Sequence, residues 1–326
     1  MKRIIGVRLW GGITEEQKAI ILKSAPGFEI LDIDNDGDGD NIATQLAQCE
    51  IVFGNIAPEQ FARAKNLKWV HTQSAGVEAY CQPGASQPPY LLTNSAGAYG
   101  IAISEHLVTM AMMLLRHMPG YVVNMQSREW KSLGKVRSVY GSTIAVAGLG
   151  DIGSCFAQRM NALGATVKAI VRKTRDEYPN YIAEACLSSD IVRTDEILAE
   201  ADIIALCLPH TAETVNFLSA ARLAKLKRDV IILNVGRGSA IDEDALAEAL
   251  MNGHIGGAGL DVTTVEPLPQ SSPLWAFPNT IITPHMSGGG SLDFTIELIL
   301  NKFTRYLNDY VNGRPFAIAV DRSAGY

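Results

Sequence analysis

The sequence predicts an α/β protein of two domains, each built on a parallel sheet, and three observations carry that reading. The chain has 326 residues, enough to bury two cores. Short apolar runs alternate with helix-like segments along most of its length. Midway, the apolar run that starts at Ser142 feeds into Gly148-Leu-Gly-Asp-Ile-Gly153, a strand, tight turn and helix start.

Composition removes several classes of function. Hydrophobic residues make up 47% and charged residues 19%, which suits packed domains and argues against disorder. The net charge is −6 with the basic residues dispersed, so nothing points to a nucleic-acid partner. The apolar part of MKRIIGVRLWGG is too short for a secretory leader and reads as a strand. The most apolar later segment, Ile101 to Met118, holds Ser104, Glu105, His106 and Arg116, which does not suit a membrane span. Five scattered cysteines show no paired spacing for metal or redox work. They suggest reduced thiols in a cytoplasmic protein with no metal site.

In chain order, Arg3 to Leu9 forms a first strand. Thr14 with Gln17 makes a capping box that opens a helix to Ser24, and Pro26 and Gly27 end it. Strands follow at Phe28–Ile33, Ile51–Phe53, Leu67–His71 and Tyr90–Thr93, with helices at Ile42–Ala47 and Pro58–Ala64. This alternation predicts a smaller, flavodoxin-like α/β domain over residues 1–99. Within it, Asp32 to Asp40 mimics a calcium loop. Ala43 occupies the twelfth position, where a bidentate Glu is required, so the stretch reads as a solvated acidic turn.

The second domain is expected over residues 100–288. A helix from Ile101 to His117 is apolar around much of its circumference and must be buried, against a domain or a second subunit, before Pro119 and Gly120 stop it. Beyond the glycine turn come a helix at Ser154–Leu163, a strand at Gly164–Val171 and a less regular unit around Ile191–Arg193. Further strands read at Asp202–Leu208, Val230–Val235, Gly259–Val262 and Thr280–Thr283, with helices at Val215–Leu226 and Asp242–Met251. Together they give a doubly wound parallel sheet of Rossmann type. A long amphipathic helix from Ser291 to Asn312 dominates residues 289–326.

The glycine turn suits a dinucleotide. Gly148 permits the turn, Gly150 lets a pyrophosphate approach, and Gly153 lets the helix pack on the strand, while Asp151 and Ile152, within the turn, join the glycines as candidate cofactor contacts ahead of the helix whose N–H groups face the phosphates. The strand that follows ends in Val171-Arg172-Lys173-Thr174-Arg175, without the acid that would bind ribose hydroxyls. Asp176 and Glu177 come too late. Arg172, Lys173 and Thr174 suit a 2′-phosphate, so NADP(H) is favoured and NAD(H) stays possible.

Four further segments carry a resemblance: NVGRG at 234–238, GLDV at 259–262, VEPLP at 265–269, and PLW…PNTIITPH at 273–285. In this order they are similar to the D-2-hydroxyacid dehydrogenase family, and the match runs from Gln73 to the closing VDRSAGY at 320–326. The resemblance implies hydride transfer between a nicotinamide and a small 2-keto acid. It makes His285 the general acid, Glu266 its hydrogen-bonding partner, and Arg237 the group that holds the carboxylate and polarises the ketone. Ala75, Gly76 and Val77, in QSAGVE, become substrate contacts through their amides, and Asn94 lies near the same place or caps a turn. Asp261 would orient the nicotinamide amide and Pro209 would line the cofactor. His71, His106, His117, His210 and His254 lack such company and read as core or surface residues.

The resemblance also implies that the C-terminal helix returns to the first domain, that the substrate cleft lies between the domains, and that the protein is a homodimer. Glyoxylate and hydroxypyruvate lead as substrates, because a basic cofactor loop favours reduction in cells. A phosphoglycerate dehydrogenase-like NAD enzyme is the alternative, although no regulatory extension follows Tyr326 and nothing marks a substrate phosphate site. Formate dehydrogenase is disfavoured, since its similar members carry an amide at the Glu266 position. A nucleotide-sensing corepressor-type binding protein is the reading from another class. It would need a peptide groove and partner tails, and the chain has no disordered extensions.

Overall fold

Residues 2–34, 39–81, 90–289, 292–316 and 319–322 are described by the computed structural model. Asp36, Gly37 and Asp38 of the acidic turn, Gly290 and Ser291, and residues 323–326 of the closing motif lie outside them. The chain divides into two compact units, Met1–Tyr99 with Gly290–Tyr326, and Gly100–Gly289.

In the first unit β1 (Arg3–Arg8), β2 (Phe28–Asp32), β3 (Ile51–Gly54), β4 (Trp69–His71) and β5 (Leu91–Thr93) form one parallel sheet in the order β2-β1-β3-β4-β5. This is the flavodoxin-like order, which reverses beside β1. Helix α1 (Glu15–Ser24) opens on the capping box of Thr14 and Gln17. Helix α2 (Gly39–Leu46) begins three residues before the expected Ile42, and Pro58–Arg63 winds as a 3-10 turn rather than an α-helix. The last helix of the chain, α9 (Asp293–Val311), brings Phe303 onto this sheet, stacked 4.0 Å from Phe53 and 5.2 Å from Trp69. Stacked rings of this kind add to the burial of their apolar faces.

The second unit holds β6 (Thr143–Ala147), β7 (Thr166–Val171), β8 (Glu184–Leu187), β9 (Ile203–Leu206), β10 (Val230–Asn234), β11 (Ile255–Leu260) and β12 (Thr280–Ile282). Their order is β12-β11-β10-β9-β6-β7-β8, all parallel, so the direction of winding reverses between β6 and β9. Strands β6, β9 and β10 are buried almost throughout, as strands covered on both faces must be. Helix α3 (Gly100–Leu115) buries Leu107, Met110, Ala111 and Leu114 and packs on β10, β11 and the glycine-turn helix α5 (Asp151–Ala162).

Three local expectations are corrected. Pro119 does not end the helical region, because it sits in the first turn of α4 (Met118–Gln126), where its missing N–H is no loss. The irregular unit near Ile191 is the edge strand β8 followed by α6 (Ile191–Glu200), capped by the Asp190 side chain. The helix expected over 215–226 shrinks to α7 (Ala220–Leu223). The amides of Asn216 and Leu218 are committed to the carbonyls of Ser239 and Ala240, and Asn216 takes a φ of 51°. Helix α8 (Glu243–Met251) follows, capped by Asp242.

Candidate active site

Three loops at the C-terminal ends of β10, β11 and β12 are tied together by buried side chains. At the end of β10, Asn234 is fully buried; its oxygen accepts the Gly236 amide at 3.1 Å and its nitrogen donates to the Arg237 carbonyl at 2.9 Å. These bonds fix the turn that presents Arg237, whose guanidinium donates to the Gly236 carbonyl at 2.6 Å. The next residue must be glycine, since a Cβ on Gly238 would lie 1.9 Å from the Thr263 carbonyl carbon. That close approach seats the Arg237 turn on the loop carrying Glu266.

Glu266 is held at both oxygens. One accepts the Thr263 amide at 3.1 Å and the other lies 2.8 Å from Nδ1 of His285. The carboxylate can only accept, so Nδ1 carries a proton and Nε2 is left to exchange one. About half of the His285 side chain is exposed, which leaves it open to a ligand. Its backbone is left-handed, with φ 50°, a conformation that non-glycine residues hold mainly where the surroundings impose it.

Asp261 supplies much of that constraint. It is 1% exposed, and its oxygens accept the Thr283 hydroxyl at 2.6 Å, the Met286 amide at 3.0 Å, the Ser287 amide at 3.1 Å and the Ser287 hydroxyl. Its carbonyl takes the His285 amide at 2.8 Å. The sequence assigns Asp261 to the nicotinamide amide, whereas its carboxylate is turned inward onto the loop that carries His285. Four donors match the lone-pair capacity of a carboxylate.

The glycine turn has the shape a pyrophosphate needs. Gly148 takes φ 91°, and a Cβ on Gly153 would lie 2.0 Å from the Gly148 carbonyl oxygen. Nothing lies within 4 Å of where a Cβ on Gly150 would stand, and no side chain caps the start of α5. Open N–H groups at the positive end of a helix suit an anion. Ile152 lies in the first turn of α5, while the Asp151 carboxylate accepts the Gly100 amide at 2.7 Å. Arg172, Lys173 and Thr174 are exposed just past β7, and Arg175 folds back to donate to the Leu149 carbonyl at 2.5 Å. Pro209 follows β9, its carbonyl accepting the Thr214 hydroxyl at 2.6 Å.

In the first unit, Ala75, Gly76 and Val77 follow β4. The Asn55 side chain accepts the Ser74 amide at 3.1 Å, the Ser74 hydroxyl donates to the Gly76 carbonyl at 2.8 Å, and Asn94 donates to the Ala75 carbonyl at 2.8 Å. Asn94 thus braces this loop. Beneath it lies His71, fully buried between the hydroxyls of Thr93 at 2.6 Å and Ser95 at 3.1 Å. Burial pushes its imidazole down to about 3, and the Lys302 ammonium acts in the same direction.

Sequence reasoning does not single out Asn234, Thr283 or Arg175, and it leaves two histidines without a role. His106 lies 3.1 Å from the Thr283 hydroxyl, and Nδ1 of His210 lies 2.7 Å from the hydroxyl of Ser239, two residues past Arg237. Position at the end of a strand, for Asn234, or directly after one, for Thr283, is the signal that marks them. Among the described residues no cluster of His, Cys, Asp and Glu could hold a metal ion, and no helix is long and apolar enough to cross a membrane.

The family model described as "D-isomer specific 2-hydroxyacid dehydrogenase, NAD binding domain" matches residues 108–287. A D-3-phosphoglycerate dehydrogenase from Bacillus subtilis is 36% identical over 232 residues, 71% of this chain; the chain spans 43% of that relative's length. A glyoxylate/hydroxypyruvate reductase B from Serratia proteamaculans is 32% identical, over 76% of this chain and 77% of its own. Among solved structures, an NADPH-dependent glyoxylate/hydroxypyruvate reductase from Sinorhizobium meliloti, in complex with NADP and sulfate, superposes with a TM-score of 0.81 at 27% identity. It covers 100% of both chains.

Proposed function

Because the chain belongs to the D-isomer specific 2-hydroxyacid dehydrogenase family, we propose that it is an NAD(P)-dependent enzyme that reduces a small 2-keto acid, glyoxylate or hydroxypyruvate, preferentially with NADPH. The observation that carries this reading is the His285–Glu266 pair at 2.8 Å, with the Arg237 turn seated on the Glu266 loop through Gly238 and Thr263.

When bound, the nicotinamide supplies the hydride. Nε2 of His285 gives the proton that the reduced carbonyl oxygen needs, a role worth roughly 10² to 10⁴-fold in rate. Glu266 keeps Nδ1 protonated and the ring oriented. Arg237 holds the substrate carboxylate and polarises the ketone through its planar fork of donors. In the first unit, the amides of Ala75, Gly76 and Val77, with Asn94 bracing their loop, are the proposed substrate contacts. The glycine turn 148–153 would hold the pyrophosphate, and Pro209 would line the cofactor. Asp261 serves by holding the His285 loop.

The preference for NADPH is supported by Arg172, Lys173 and Thr174 past β7, with no acid before Asp176. A cytoplasmic setting is supported by Cys49, Cys81, Cys155, Cys186 and Cys207, all free thiols. Assembly as a homodimer is supported by the apolar side chains exposed on α4, Val122, Val123 and Met125, beside a groove lined by Met112, Met113 and Tyr121.

The test is absorbance of the reduced nicotinamide with glyoxylate, hydroxypyruvate, pyruvate and 3-phosphohydroxypyruvate, each with NADPH and with NADH. Turnover of the first two with NADPH is expected. Selective turnover of 3-phosphohydroxypyruvate with NADH would favour the phosphoglycerate dehydrogenase-like alternative. Absence of turnover with every keto acid would leave the corepressor-type binding role as the better account.

A further inference from the structure

A second imidazole stands behind the Asp261 carboxylate. His106, on α3, places Nε2 3.1 Å from the Thr283 hydroxyl oxygen and 3.9 Å from Oδ1 of Asp261. The Thr283 hydroxyl has one proton, and it goes to Asp261 at 2.6 Å. Towards His106 it can therefore only accept, which puts a proton on Nε2 of that ring. The result is a directed chain from His106 through Thr283 to Asp261, within one unit and largely shielded from water.

The chain ends at the candidate proton donor. Asp261 takes the amides of Met286 and Ser287, and its carbonyl takes the amide of His285 itself. These three consecutive amides fix the backbone on which His285 sits in its left-handed conformation, with the Thr283 carbonyl also 2.9 Å from the His285 amide. A carboxylate loosened at Oδ1 would loosen the Met286 amide directly and the Ser287 amide through the same carboxylate, and a small shift of the half-exposed imidazole between them and Glu266 is felt in the rate.

We propose that His106 and Thr283 are positioning residues for His285, acting through Asp261 and not by touching substrate or cofactor. The proposal rests on the reading of His285 as the general acid. It explains why a polar pair lies inside an otherwise apolar contact of α3 with β11 and β12.

The test compares Thr283→Val, Thr283→Ser and His106→Phe in the full chain, by steady-state kinetics with a 2-keto acid, NADPH binding, and backbone amide hydrogen exchange. In Thr283→Val and His106→Phe, kcat should fall about 10- to 100-fold. Keto-acid KM and NADPH Kd should move by less than about threefold. The amides of Met286 and Ser287 should exchange about tenfold faster. Thr283→Ser, which keeps the hydroxyl, should recover both rate and protection.

Wild-type kcat or unchanged exchange in Thr283→Val overturns the proposal. So does an equal loss of kcat and NADPH affinity in both disruptive variants, the mark of general loosening. If the wild-type protein turned over no keto acid, the functional reading would fall, and exchange alone would decide the positioning role: protection lost in Thr283→Val and kept in Thr283→Ser sustains it, and no difference between them removes it.

Discussion

Nδ1 of His285 stands 2.8 Å from one oxygen of Glu266, while the other oxygen of the same carboxylate accepts the Thr263 amide at 3.1 Å. The acid is thus fixed before it meets the imidazole, and the ring inherits its orientation from the loop after β11. Glu266→Gln keeps an acceptor for Thr263 and turns a donor toward Nδ1. It is expected to lower kcat about 100-fold while leaving NADPH affinity unchanged, as read by turnover and by nucleotide fluorescence titration.

His285→Ala removes the proposed proton donor and should lower kcat by about 10² to 10⁴-fold, again with NADPH binding retained. An equal loss of both would assign His285 a structural role. Arg237→Lys keeps the charge but loses the planar fork, so the expected signature is a fall of about 10- to 100-fold in kcat/KM for the keto acid.

Gly238 admits no side chain. Its Cβ would lie 1.9 Å from the Thr263 carbonyl carbon, and the obstructing atoms are backbone, which cannot rotate away. Gly238→Ala should destabilise the second unit by about 1 to 3 kcal/mol and separate Arg237 from the Glu266 loop. Thermal unfolding and kcat/KM should fall together in this variant, in contrast to His285→Ala, where only turnover falls.

Past β7, replacing both Arg172 and Lys173 by Ala should weaken NADPH about 10- to 100-fold and leave NADH within about threefold. Comparable loss for both nucleotides would remove these side chains from the 2′-phosphate site.

Acid should destabilise the protein through His71. Burial holds its pKa at about 3 in the folded chain, against an ordinary 6.5. Below 6.5 the unfolded chain takes up a proton that the folded chain refuses, so stability is full above that value and declines as pH falls toward about 3. Glu50, held at about 2 chiefly by its hydrogen bond from Arg3, begins to act only below the ordinary carboxylate value of 4.5. Urea unfolding at about pH 7 and about pH 5 therefore isolates the histidine, and His71→Asn should flatten the difference between them. An unchanged pH slope in that variant would move the effect elsewhere.

Most strand positions and the glycine turn were legible because periodicity and φ requirements are local, whereas the edge strand β8 was not and β11 begins four residues before the expected Gly259. Pro119 reads as a stop because a proline looks the same in sequence whether it follows one helix or opens the next. The segment over 215–226 has helical composition, yet Asn216 and Leu218 spend their amides on Ser239 and Ala240, a pairing set by tertiary structure. At the candidate site, the motifs around Arg237, Glu266 and His285 stand out in sequence. The supporting work of Asn234, Asp261, Thr283 and His106 is visible only once loops far apart in the chain are brought together.

The strand order of the second unit has a consequence for how such a protein can diverge. The proposed chemistry sits on loops after β10, β11 and β12, and the proposed nucleotide contacts sit chiefly after β6 and β7, with β9 between the two groups. On the proposed reading, changes in the loop after β7 would exchange one nicotinamide pool for another without disturbing the loops that carry Arg237, Glu266 and His285. A lineage on this scaffold is free to follow the redox economy of its host while its reaction stays the same.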